Sequence, residues 1–257
     1  VVFPLLLLTV AEPAPRPLQV GDPLLPSIRD LASNGPFNRL LFGWFINSLA
    51  NGIPAVLFIL FMKHVIGANE ITQGLFTLLY FLAGIVGMPL WIWLSRRHSK
   101  HRIWCVAMVL ASTAFATVPA LEAGDILLFG IIVLLTGFCL GADLALPPAM
   151  QADVAEYEYF RKGRDRTGIM FAAWSMSTKL ALAASVGIAF PMLDWLGTPE
   201  QGSTEKYDSM TLALIYARLP VVLKMSVTLL IWGYPLNKAK LAIIQRRLGT
   251  RIKDPSG

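Results

Sequence analysis

Apolar runs long enough to cross a bilayer alternate with short polar segments along most of the chain. A helix rises about 1.5 Å per residue and the hydrocarbon core is about 30 Å thick, so a run of about 20 apolar residues is the unit of interest. Six such runs occur: span A (Leu40 to Met62), B (Thr72 to Leu94), C (Ile103 to Leu121), D (Ile126 to Met150), E (Gly168 to Leu193) and F (Met210 to Leu236). The segments between them concentrate the Gly, Pro, Asp and Lys/Arg that spans exclude. Strand-type alternation is absent. The pattern therefore predicts an all-α polytopic membrane protein and not a barrel.

The ends of the chain are organised differently. Residues 1–10 are apolar but span only about half a bilayer, and neither a basic region before them nor a small-residue cleavage site after them marks a signal peptide. They read as the end of a preceding transmembrane helix. Residues 11–37 carry Pro13, Pro15, Pro17, Pro23, Pro26 and Pro36, which rule out one continuous helix and predict a linker, with a short interfacial helix near Ser27 to Ala32. Residues 38–238 then form the six-span bundle and 239–257 a basic tail. A residual span, a cytoplasmic linker and six spans are what the second half of a twelve-span transporter should contain, so a missing N-terminal six-helix half is an expected partner.

Composition supports this reading. The hydrophobic set is 55% of residues and charged residues are 15%, against about 25% charged in an ordinary soluble domain. Cys105 and Cys139 are far apart in apolar runs, which excludes a disulfide framework. The net charge of +6 has a topological cause. One side of the predicted membrane holds Arg16, Arg29 and Arg39, then Arg96, Arg97, Lys100 and Arg102, then Arg161, Lys162, Arg164 and Arg166, and in the tail Lys238, Lys240, Arg246, Arg247, Arg251 and Lys253. These are seventeen residues, against Lys63 and Lys206 on the other side. Both termini are therefore expected in the cytoplasm, at the lipid bilayer of a bacterial inner (plasma) membrane. The basic character is accounted for by topology, and nucleic acid is not an expected partner.

Between spans D and E lie Asp153-Val-Ala-Glu156-Tyr157-Glu158 and Gly163-Arg164-Asp165-Arg166-Thr167-Gly168, followed by Trp174-Ser175 and Lys179 within span E. This stretch resembles the glycoside-pentoside-hexuronide:cation symporters, the melibiose-permease-like branch of the major facilitator superfamily. Their loop after the tenth helix reads approximately Asp-x-x-Asp-Tyr, a spacer and Gly-x-Arg-x-x-Gly, and their eleventh helix carries a lysine. Asp153, Tyr157, Gly163, Arg164 or Arg166, Gly168 and Lys179 fit, and Glu156 replaces the second Asp with a longer arm. Gly87-Met-Pro89-Leu90-Trp91 with Arg96, Arg97 and Lys100, Leu146-Pro147 and Leu219-Pro220 also resemble the family, over about Phe37 to Leu236. The resemblance implies that spans A to F are helices seven to twelve and that the acidic cation site lies in the other half.

The residues themselves suggest roles. Asp153, Glu156 and Tyr157 share a face at the end of span D, because residues three and four apart are helix neighbours. Arg164 and Arg166 open span E, so the five could form a charge-assisted cluster, either a static surface pairing or a cytoplasmic gate that opens in one access state. Lys179 lies about 20 Å along span E from Arg166, near mid-bilayer. A lysine there should face the bundle interior with a partner. Asp143, at a similar depth in span D, is the expected one, with Ser175 a turn before Lys179. Asn47 and Asn51 share a face of span A, and Pro54 after them suggests a locally broken helix. Tyr80 and Trp174 are candidates for stacking on a sugar ring. Arg218 and Lys224 in span F need interior partners or a snorkelling route and lie on different faces. Gly137 and Gly141 form a GxxxG expected to pack helices closely. His98 and His101 read as part of a solvated basic loop.

No Walker, dinucleotide or nucleophile-base-orienter pattern appears, so the chain is not read as an enzyme, and no cofactor or metal site is expected. The expected function is secondary active transport by alternating access of a small solute, first a sugar or glycoside, in symport with Na⁺ or H⁺ as coupling cation. The candidate substrate contacts are Asn47, Asn51, Tyr80, Asp143, Trp174, Ser175 and Lys179. A lipid or lysolipid transporter is the alternative, and a non-transporting scaffold or inactive remnant the third. A polar, wet cavity would favour the sugar, an apolar cleft the lipid, and a packed interior the scaffold.

Overall fold

The computed structural model describes residues 33–196, 208–236 and 238–243. Six helices in it are long and apolar enough to cross a membrane: α1 (Gly35–Phe61), α2 (Glu70–Arg97), α3 (Lys100–Ala116), α4 (Ile126–Lys162), α5 (Thr167–Leu196) and α6 (Ser209–Trp232). One turn at Met62–Ile66 prolongs α1 and another at Val118–Ala120 follows α3. Each matches one predicted span. Residues 1–10 and most of the predicted linker and basic tail fall outside the described residues.

Several boundaries differ for local reasons. The linker was expected to run to residue 37, but α1 already starts at Gly35, because Asn34 Oδ1 accepts from the Phe37 amide at 3.0 Å and Pro36 suits the first turn. The helix is continuous through Pro54, so the expected break is absent. The segment read as a loop after span D is helical: α4 runs on through Asp153, Glu156 and Tyr157 to Lys162, where Gly163 at φ 68° ends it. Span F was expected to reach Leu236, yet α6 stops at Trp232 ahead of Gly233 and Pro235. Arg39 closes that end by donating from Nε to the Leu230 carbonyl at 2.6 Å and from a guanidinium nitrogen to the Gly233 carbonyl at 3.0 Å.

The helices pack as two equivalent triplets. α1 lies on α5 and α6, and α4 lies on α2 and α3, while α3 and α6 pack on each other. Exchanging α1–α3 with α4–α6 reproduces the same set of neighbours, the pairing expected of two three-helix repeats in inverted topology. Small residues permit the closest approaches. A β-carbon on Gly137 would lie 2.5 Å from the Tyr80 carbonyl, and one on Gly141 would lie 2.5 Å from the Gly84 carbonyl, which bears out the GxxxG reading. In the symmetry-related pair, a β-carbon on Gly52 would run into Ser185 Oγ. The helices α2 and α5 flank this arrangement and expose apolar side chains, including Phe81, Ile85 and Val86 on one and Met176, Leu180 and Leu182 on the other.

Candidate functional site

Four helices meet at one buried carboxylate. Asp143 on α4 is 6% exposed and Lys224 on α6 is 9% exposed, and Lys224 Nζ lies 3.2 Å from Asp143 Oδ2. Trp104 of α3 donates its indole N–H to Asp143 Oδ1 at 2.6 Å, and Asn51 of α1 donates its amide to Asp143 Oδ2 at 3.0 Å. One turn away, Asn47 Oδ1 accepts from Lys224 Nζ at 3.0 Å. The helical spacing of Asn47 and Asn51 thus presents one amide to each member of the ion pair. A charge at this depth is tolerated only when paired and hydrogen-bonded, and both conditions are met. Pro147 has no amide hydrogen, so the Asp143 carbonyl also lacks its usual helical donor.

The pair closes the end of a cavity of about 270 Å³. Residues of α1, α2, α3, α4 and α6 line it. Asn51, Asp143 and Lys224 supply the polar end, and Phe58, Phe76, Phe115, Phe129 and Tyr216 are among the apolar lining. On α4 the lining extends from Phe129 to Asp143, about 21 Å of helix. Ala55, Thr77 and Phe81 line the cavity and are exposed, which places a mouth between α1 and α2. The site is a narrow apolar slot with charge at one end.

The structure changes the partners inferred from sequence. The cation beside Asp143 is Lys224, whereas Lys179 and Ser175 lie on the exposed face of α5. Trp174 is stacked on Trp44, with ring centroids 4.6 Å apart and planes inclined by 14°, so that face is already occupied. Trp44 in turn donates its indole N–H to Thr178 Oγ1 at 2.8 Å. Tyr80, Asn51 and Asp143 do line one cavity. Arg218 is exposed while Lys224 is buried, as their different faces require.

In the expected gate region, Asp153 has a partner from outside the predicted cluster. Both Asp153 carboxylate oxygens accept from Lys100 Nζ, at 2.8 and 2.7 Å, so this residue joins α4 to the start of α3. Glu158 is 1% exposed and accepts from Asn34 Nδ2 at 2.8 Å, with Lys162 Nζ at 3.2 Å. Arg166 is buried, Glu156 and Tyr157 are half-buried and Arg164 is exposed. His101 is not solvated: it is buried, with its ring centroid 6.0 Å from that of Tyr234. Sequence reasoning missed Trp104 and Lys100 as partners. An indole in an apolar run gives no polar signal, and a lysine in a basic loop reads as one of many.

Comparison with known proteins places this geometry in a family. The profile of the MFS/sugar transport protein family matches residues 15–238. The sodium-dependent lysophosphatidylcholine symporter 1 of Homo sapiens is 26% identical over 231 residues, covering 88% of this chain and 42% of the relative. The sphingosine-1-phosphate transporter MFSD2B of Xenopus tropicalis is 22% identical over 241 residues, covering 89% and 46%. A putative glycoside/cation symporter, YagG of Escherichia coli, is 26% identical over 144 residues, covering 56% and 31%. The chain thus spans less than half the length of each. With six apolar helices in two equivalent triplets and a match over most of its length, the chain belongs to the MFS/sugar transport protein family.

Proposed function

We propose that this chain serves secondary active transport of an amphipathic solute of the lysolipid class, coupled to a cation and working with a second six-helix bundle by alternating access. The observation that carries this reading is the cavity, whose long apolar part suits an acyl chain and whose charged end suits a headgroup. A sugar ring would require hydrogen-bonding groups along its whole edge. Here the charged and amide groups crowd one end and bond one another, and beyond them the polar lining is the hydroxyls of Thr77, Tyr80, Ser112 and Thr136 among apolar side chains. Likeness to lysophosphatidylcholine and sphingosine-1-phosphate transporters supports the same choice. A glycoside is the second reading, favoured by the loop residues Asp153 to Gly168 and by the likeness to YagG.

In this proposal Asn51, Tyr80 and Asp143 act at the cavity and Asn47 acts through Lys224, while Trp174 stacks on Trp44 outside the cavity lining. Lys179 and Ser175, on the exposed face of α5, would address the space between the bundles. Asp153 with Lys100, and Glu156, Tyr157, Arg164 and Arg166, would form the cytoplasmic gate, at the end of the bundle where the basic residues gather. The seventeen-to-two charge asymmetry supports cytoplasmic termini.

Reconstitution tests the reading. The chain paired with an N-terminal six-helix bundle in proteoliposomes should accumulate labelled lysophosphatidylcholine under a Na⁺ or H⁺ gradient, and the chain alone should not. Accumulation of a glycoside with no movement of lysolipid would overturn it in favour of the second reading.

A further inference from the structure

We propose that Asp143 and Lys224 form an exchange site for a substrate anion and a proton: Lys224 leaves Asp143 for the phosphodiester of the bound solute, and Asp143 takes up one proton in its place. The inference rests on the lysolipid reading above and adds to it a site of coupling within this half of the transporter.

Three observations lead to it. Among the described residues Lys224 is the one lysine or arginine that lines the cavity, so an anion entering the slot has a single cation to meet. Its ammonium has three N–H groups, of which Asn47 and Asp143 accept two. An anion at the third would compete with Asp143 for the same charge. In addition, Asp143 sits at the polar end of the same cavity, where a second negative charge beside a phosphodiester would go uncompensated by any other lining cation.

Protonation removes that conflict. The ion pair separates, an O–H bond forms at Asp143 Oδ2 with a proton taken from water, and Lys224 stays charged beside the phosphodiester. The neutral pair becomes a neutral acid and a neutral ammonium-phosphodiester pair; a trimethylammonium on the headgroup keeps its own charge, so a zwitterionic solute binds with a net gain of the one positive charge the proton brings. A proton suits this site better than sodium, because the groups around the carboxylate are the N–H donors of Trp104, Asn51 and Lys224, whereas a hard cation needs oxygen ligands. The groups facing Asp143 are Asn47 and Asn51 on α1, Tyr80 on α2, Trp104 on α3, Cys139 on its own helix and Lys224 on α6. The Tyr80 phenol and the Cys139 thiol already carry their protons near neutral pH, so Asp143 is the group among these that can take one up.

The test is the pH dependence of binding to the 257-residue chain assembled with an N-terminal six-helix bundle in nanodiscs, with a short-chain lysophosphatidylcholine as probe because its phosphodiester does not titrate near neutrality. Uptake of one proton on binding requires the Kd to rise about tenfold per pH unit over the range where free Asp143 is ionised and bound Asp143 is not. Asp143→Asn should bind more tightly than the parent at the alkaline end and lose the slope. Because Lys224→Gln alone would strand a buried carboxylate, the double variant Asp143→Asn/Lys224→Gln reports on the lysine, and should bind at least tenfold more weakly than Asp143→Asn at every pH. A parent Kd that ignores pH, or a slope that survives in Asp143→Asn, would overturn the exchange while leaving the lysolipid reading in place. A double variant that binds like Asp143→Asn would make the pair purely structural. Failure of the parent to bind the probe at all would overturn both readings.

Discussion

Lys224 and Asp143, 81 positions apart in sequence and on different helices, form the buried ion pair on which four of the six helices converge. Removing one member leaves the other charged in an apolar surrounding, whereas removing both does not. Lys224→Met should therefore cost about 3–5 kcal/mol of stability, and Asp143→Asn/Lys224→Met much less. Unfolding in mixed micelles measures the cycle. Additive costs for the single changes would show that the two side chains do not depend on each other.

Close helix approach at the glycines makes a second prediction. Gly141→Leu must push α2 away, because the first added carbon already meets the Gly84 carbonyl and the Met88 amide. It should cost at least about 1–3 kcal/mol and reduce the amount of folded protein. Gly74→Ala, on the same α2 but with nothing within 4 Å, should change stability by no more than about 1 kcal/mol, in the stabilising direction. Equal losses for both variants would contradict the packing.

The Lys100–Asp153 pair predicts a smaller effect, since the Lys100 side chain is 34% exposed. Lys100→Ala or Asp153→Ala should cost about 0–1 kcal/mol. If the pair gates transport, either change should alter uptake by the assembled transporter far more than it alters stability, and Lys100→Asp with Asp153→Lys should restore it. Uptake that tracks stability alone would reduce the pair to a static tie.

Topology can be read by chemical labelling. On a Cys-free background, Arg97→Cys and Arg164→Cys occupy exposed positions at the basic end, and a membrane-impermeant thiol reagent should reach both from the cytoplasmic side only. Reaction from outside the cell at either position would reverse the orientation.

Asp208 caps α6, accepting from the Thr211 amide at 2.8 Å and from Thr211 Oγ1 at 2.7 Å. These bonds hold its carboxyl below the usual carboxylate range. The folded value lies under the unfolded one, near about 3.9, so the cap's contribution is full above that pH and is lost as pH falls through the folded value. Asp208→Ala should cost about 0.5–2 kcal/mol at neutral pH and speed hydrogen exchange at the Thr211 amide. Unchanged exchange would mean that the cap does not form.

The sequence by itself determined the six spans and the all-α class, because a bilayer forces every crossing segment into about 20 apolar residues with its backbone bonds satisfied internally. It also determined the shared face of Asn47 and Asn51, the glycine seam at Gly137 and Gly141, and the depth of Asp143, since each follows from helical periodicity and rise alone. Only the tertiary structure decided which lysine meets Asp143. Lys179 and Lys224 both lie within spans, and sequence fixes how far along a helix a residue sits but not which neighbour its face turns toward. Packing of α6 between α1 and α3 turned Lys224 inward, while α5, packed chiefly on α1, left Lys179 on its outer face. The same rotation brought Trp104 onto the carboxylate and Trp44 onto Trp174. Helix rotation is set by side-chain interlock between segments far apart in the chain, and no local pattern carries that information.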